Sequence, residues 1–253
     1  MKKLFPVMYD CPEKTMYIAG AIYCVIGFFT FPFLTLFFAQ GYQDDVAISW
    51  FEIVYHVVNF LAVMWIFRTY LKDSFFNVRY NLKPFLIVSG CCAAVAIVYA
   101  MCVTFQGAVT TNPLNHFVAE SALPLMEVEL LILPSYLVNV NPIAGTIVTV
   151  FLAPVVISCL YYASTFAPAC NSRPWLAYLV VMVMIAVPRI FNSLTFWDWK
   201  TEALLYAVQL PIHLIACYSY QKSDTVWAPI AVHMTANAVG CAGIFGLLYM
   251  YNQ

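Results

Sequence analysis

Charge is what this chain has least of. Only 9% of its 253 residues are Asp, Glu, Lys or Arg, against 64% hydrophobic and 17% aromatic residues. Soluble domains carry roughly a quarter charged residues. That scarcity argues against a water-soluble globular fold and for an integral membrane protein. Formal net charge is -1, so no basic excess points to a nucleic-acid partner. Cysteine is plentiful, with nine residues, but metal-binding spacing is missing: no CxxC pair and no zinc-type Cys/His cluster occurs. Most of the nine lie within apolar runs, where cysteine packs as a small apolar residue. No HExxH, GxxxxGK[ST] or GxSxG occurs, which removes zincin, P-loop and serine-elbow chemistry. Rhomboid-like Ser/His and presenilin-like paired-Asp motifs are missing too, as are internal repeats, low-complexity tracts and any long polar stretch for a soluble domain.

What is present is a series of long apolar runs. A membrane-crossing helix needs about 20 mostly apolar residues. Eight stretches meet that length: 16–39, 47–69, 84–106, 122–140, 143–166, 175–196, 201–220 and 226–250. The expected fold is therefore all-α, a polytopic membrane bundle of about eight transmembrane helices forming a single membrane domain over 1–253. Around the fourth stretch, "AESALPLMEVELLILPSYLV" carries three glutamates and two prolines. A kinked span or a re-entrant segment is the alternative there, which would give seven spans. The N-terminal "MKKLFPVMYDCPEKT" turns polar before the first apolar run and shows no cleavage-site pattern, so that run is expected to stay as a span.

Loop charges set the expected orientation. Lys2, Lys3, Lys14, Arg68, Lys72, Arg79, Lys83 and Lys200 fall on one side of an eight-span bundle; Arg173 and Lys222 fall on the other. Both termini are thus expected in the cytoplasm. The stretch "LKDSFFNVRYNLKP" mixes aromatic and basic residues, as an interfacial connection does; a solvated loop is the plainer alternative.

Ionisable groups inside a bilayer cost several kcal/mol when unpaired, so they mark candidate sites. Glu52, His56 and Asn59 sit at i, i+4 and i+7 on one face of the second run, near the membrane edge, where pairing on a wet face would explain them. Glu127 and Glu129 lie in the fourth run and point to different sides of a helix. Arg189 lies in the sixth, and one of those glutamates is its simplest neutralising partner. His213 lies in the seventh, where a hydrogen-bonded bundle histidine is the plain reading. His233 and Asn237, four apart in the eighth, project from one face and would also serve as interhelical hydrogen-bonding groups.

The stretch "YSYQKSDTVWAPIAVHMTANAVG" resembles the closing motif of the CPBP family, the CAAX protease and bacteriocin-processing membrane proteins, also called the Abi family. Members commonly read Y-E-R-T-G-S-L-W-A-P-I-x-x-H-x-x-x-N there. Tyr220, Trp227, Ala228, Pro229, Ile230, His233 and Asn237 match, with Lys222 for the basic residue and Thr225 for the serine. The resemblance covers a CPBP-like core over 141–250, while 1–140 matches only as a generic set of spans. It implies a type II CAAX-protease-like bundle in a bacterial plasma membrane. Active members resemble one another as glutamate-dependent intramembrane endopeptidases with three motifs, E-E-x-x-x-R, F-x-x-x-H and H-x-x-x-N/D. A carboxylate activates water, a histidine holds it and an amide stabilises the oxyanion. Metal use in such a site is left open by the resemblance.

This chain departs from that pattern. After Ala153 and Pro154, the two glutamate positions fall on Ile157 and Ser158 and the arginine position on Tyr162; the second motif's histidine position falls on Arg189. Only His233 and Asn237 carry over. The resemblance thus implies a catalytically degenerate relative, without cofactor or metal, acting as a membrane scaffold or binding partner in contact with membrane lipid and with a membrane protein or peptide. An active endopeptidase with Glu127 or Glu129 as substitute carboxylate is one alternative. A small transporter using Glu52, His56, Arg189 and His213 is another.

Overall fold

The structure, a computed structural model, describes residues 11–26, 45–109, 141–196 and 199–251. Every regular element among the described residues is helical, and no strand occurs among them. The helices are α1 (Lys14–Ile26), α2 (Asp45–Ile66), α3 (Arg68–Tyr80), α4 (Leu82–Val109), α5 (Pro142–Ser172), α6 (Pro174–Phe196), α7 (Trp199–Ser223) and α8 (Trp227–Tyr251). Among the described residues two helices are long and apolar enough to cross a membrane, α4 over Leu82–Cys102 and α5. A third counts if α2 and α3, bent by 75°, form one broken span. Helices do occupy the expected stretches in the second half, but α7 interrupts its apolar run with Gln209, His213 and Gln221. The fourth stretch, with Glu127 and Glu129, lies outside the described residues.

α5 is the axis of the fold and is buried over more of its length than α4. α2 and α8 pack on its first half, α6 on its second, and α7 lies between α6 and α8. The core around it is built from Cys159, Tyr162, Ala163, Phe166 and Ala167 together with Val63, Phe67, Ile212, Ala216 and Tyr220. Six of the nine cysteines are buried, consistent with their packing as small apolar residues. α1 approaches closely through Gly20: a Cβ there would meet the Phe67 ring at 2.5 Å and Ser164 Oγ at 3.0 Å. The missing side chain is what lets α1 lie against the α2–α3 bend.

α5 is not a uniform helix. Its stretches Val148–Leu152 and Ser158–Phe166 are π-helical. Each ends directly before an Ala-Pro pair, Ala153-Pro154 and Ala167-Pro168. Proline lacks the N–H that an interior helix turn requires and its ring crowds the preceding turn. Widening that turn to i→i+5 bonding accommodates both effects. Accordingly Ala153 N–H donates to Val148 O and Ala167 N–H to Tyr162 O. The Ser164 hydroxyl, within the second wide stretch, lies 2.5 Å from Leu160 O and 2.9 Å from Cys159 O.

The turn from α7 into α8 is tight. Asp224 adopts φ 53°, the left-handed conformation that commonly ends helices, and its N–H donates to Tyr220 O at 2.9 Å. Thr225 Oγ1 then accepts from Trp227 N–H at 3.3 Å, which starts α8 as an N-terminal cap does.

Candidate functional site

The geometry begins with the wide turns of α5. An i→i+5 pattern would pair Thr149 O with the N–H of residue 154, but that residue is proline and has none. Ala153 N–H is committed to Val148 O. Thr149 O is therefore left without a helical donor, and Asn237 Nδ2 of α8 fills the gap at 2.8 Å. Asn237 is 1% exposed.

One turn earlier on α8, His233 is fully buried. Its Nε2 lies 2.6 Å from Tyr162 Oη, and the same hydroxyl lies 2.7 Å from His213 Nδ1 of α7. The Tyr162 ring stacks on His233 with centroids 5.7 Å apart and planes 18° apart. The two imidazoles lie 5.1 Å apart. A phenol has one hydrogen to donate. With neutral rings, Tyr162 donates to one histidine and accepts from the other, so the two tautomers are tied together.

Several polar atoms on α5 and α8 have no partner among the described residues. Ser158 sits on α5 between Thr149 and Tyr162, four residues from the latter and fully buried. Ser158 Oγ, Thr149 Oγ1, His233 Nδ1 and Asn237 Oδ1 are all buried without a hydrogen bond among the described residues. Buried polar atoms are almost always satisfied, by protein or by ordered water. Together the four are hydrogen-bonding capacity on α5 and α8 that the described residues do not use.

Glu52 adds a fifth. Its Oε2 is also buried and has no partner among the described residues, and the residue is 5% exposed. The expectation of a wet edge fails there, because α2 turns that face inward: its neighbour Ile53 packs with Val148 and Ala153 of α5. Asn59, two turns on, accepts a hydrogen bond from Tyr23 of α1.

Of the site residues expected from sequence, His233 and Asn237 of α8 meet α5, the first through Tyr162 Oη and the second through Thr149 O; Ser158 lies buried on α5. Ile157 is partly buried against the main core. Arg189 belongs to α6. Glu127 and Glu129 lie outside the described residues. No carboxylate is bonded to His233: Tyr162 takes Nε2, and Nδ1 has no partner among the described residues. Among the described residues no group of three or more His, Cys, Asp or Glu is placed to hold a metal ion. Sequence reasoning undervalued Tyr162, counted there as a lost motif position, and overlooked Thr149. The signals were available: Ser158 and Tyr162 share a helix face, and Pro154 follows Thr149 by five residues.

No protein-family model, no curated protein and no solved structure matches the chain.

Proposed function

We propose that this protein is a multi-pass helical membrane protein of the CPBP type, of about eight spans, that binds at the α5–α8 seam instead of cutting there. Membrane residence is supported by the apolar surfaces of α2 and α4. Val54, Val58, Leu61 and Trp65 face outward on the first, and Leu86, Ile87, Val95 and Val98 on the second. Such continuous apolar faces suit hydrocarbon. The location this implies is a bacterial plasma membrane, with both termini on the cytoplasmic side by the distribution of Lys and Arg.

One observation carries the non-catalytic reading. Tyr162, standing where the resembled motif has its arginine, engages His233 Nε2 at 2.6 Å. Glutamate-dependent hydrolysis needs a carboxylate and a histidine that share a water. Here the positions for that carboxylate are Ile157 and Ser158, and the histidine is held by a phenol. The unpartnered atoms of Ser158, Thr149 and Asn237 then suit a polar group on a bound peptide or partner helix.

The test is proteolysis by the purified protein in liposomes, with prenylated and membrane-proximal peptides as substrates. No cleavage is expected. Cleavage that disappears in His233→Ala would overturn the reading. A second reading, an active endopeptidase, is favoured by the buried unpartnered Glu52 oxygen, on a helix that packs against the same half of α5 as α8 does. Under it, Glu52→Gln abolishes the cleavage. Glu127→Gln and Glu129→Gln test the other two carboxylates in the same assay.

A further inference from the structure

α3 contributes no residue to the α5–α8 site. It leaves α2 at 75°. If α2 crosses the bilayer, α3 lies near the plane of its surface, so the inference that follows rests on the membrane reading above.

One face of α3 is pinned to the protein. Tyr70, Leu71, Ser74 and Val78 are buried. Tyr70 Oη lies 2.5 Å from Tyr220 Oη, and Ser74 Oγ lies 2.9 Å from Thr225 Oγ1. The Trp227 indole N–H donates to Leu71 O at 3.3 Å, and its ring meets Phe75 edge-on at 5.7 Å. These contacts fix both the position of α3 and its rotation.

The opposite face is therefore presented outward in a defined way, and it is basic. Arg68, Lys72 and Arg79 follow at i, i+4 and i+11, which places them along one stripe. Lys83 follows four residues later, in the first turn of α4. All four are exposed. Asp73 is the one acidic residue from 68 to 83, and at i+5 from Arg68 it lies off the stripe. Phe76, four residues after Lys72, flanks the stripe and is 42% exposed; Tyr80, beside Arg79 in sequence, is 83% exposed. Aromatic rings at the headgroup level and cations reaching phosphates are what an interfacial helix uses against anionic lipid.

We propose that the Arg68–Lys72–Arg79–Lys83 stripe is a docking surface for the headgroups of anionic phospholipids. It is pre-formed, because α3 is held by the α7–α8 turn and the start of α8. A cation near such a surface contributes about 1 kcal/mol, which corresponds to about fivefold in affinity per residue.

The experiment uses the full chain in nanodiscs of phosphatidylcholine with a minor fraction of phosphatidylglycerol. The protein is extracted in mild detergent and the lipid that stays with it is quantified. Enrichment of phosphatidylglycerol over its share in the disc is expected. Lys72→Gln/Arg79→Gln/Lys83→Gln, all at exposed positions, is expected to abolish the enrichment. Arg173→Gln, an exposed cation at the α5–α6 junction, is expected to keep it. No enrichment in the unmodified protein, enrichment kept by the triple variant, or equal loss in Arg173→Gln would each overturn the proposal. A chain that stays in solution without detergent and never enters the discs would overturn the membrane reading, and the proposal with it.

Discussion

The two ends of the α5–α8 seam differ in how they treat the same kind of group. At the Tyr162 end every polar atom of the phenol is used: one hydroxyl serves two imidazoles from two helices, at 2.6 and 2.7 Å. At the Asn237 end one amide nitrogen repairs one orphaned carbonyl at 2.8 Å, while the amide oxygen and the neighbouring Thr149 hydroxyl remain unpartnered. The first end is organised as structure around that hydroxyl, with His233 Nδ1 the ring atom left without a partner among the described residues. The second keeps hydrogen-bonding capacity that the fold does not consume. His233 and Asn237, one turn apart, thus have different tasks.

The largest effect is expected from the structured end. Tyr162→Phe keeps the ring stack but removes the hydroxyl, leaving two buried ring nitrogens without their shared partner. An orphaned buried group costs about 1–3 kcal/mol, and membrane-protein hydrogen bonds fall toward the low end, about 0.6–1.7 kcal/mol. A loss of roughly 2 kcal/mol is expected, read as a thermal midpoint several degrees lower in detergent. A double-mutant cycle with His213→Phe sharpens this. The two changes are expected to be clearly non-additive, because both act on one hydroxyl. Additive losses would mean that the three side chains do not act as a network.

Much of the helix order was legible in sequence, since long apolar runs need only be counted. The stretch 143–166 became α5, and 226–250 became α8 with little change at the ends. The shared face of His233 and Asn237 was legible from their spacing. What each faces was not. Tyr162 reaches both histidines from the π-helical stretch Ser158–Phe166, and Asn237 meets a carbonyl that Pro154 leaves unserved. Both depend on local widening of α5, which a 3.6-residue periodicity does not represent. Glu52 escaped for a related reason. Its place near the end of an apolar run suggested a wet edge, whereas the packing of Ile53 on Val148 and Ala153 draws it inside. The bend at Phe67 was legible only as a change from apolar to basic composition, not as the 75° turn that lays α3 across the end of α2.

A smaller effect is expected at the other end. Asn237→Ala removes the donor to Thr149 O but also removes an unpartnered oxygen. The two changes offset in part, so a loss of about 1 kcal/mol is expected, less than for Tyr162→Phe under the same conditions. Should Asn237→Ala prove the more damaging of the two, the division of the seam into a structural end and an open end is wrong.

The smallest effects are the most discriminating. Ser158→Ala and Thr149→Val each delete a buried hydroxyl that has no partner. Removing a polar group that the fold leaves unsatisfied is expected to change stability by less than about 0.5 kcal/mol, or to raise it, because the cost of its desolvation disappears. Thr149→Val nearly preserves shape, so packing contributes little to that difference. Thermal unfolding of both variants beside the unmodified protein gives the answer. Losses above about 1 kcal/mol in either would show that the hydroxyl is satisfied within the fold; a loss of that size at Thr149 would make the open end structural as well. Neutral stability, joined to weaker capture of a bound peptide or partner helix by the same variants, is the outcome expected if these hydroxyls are held in reserve for a ligand.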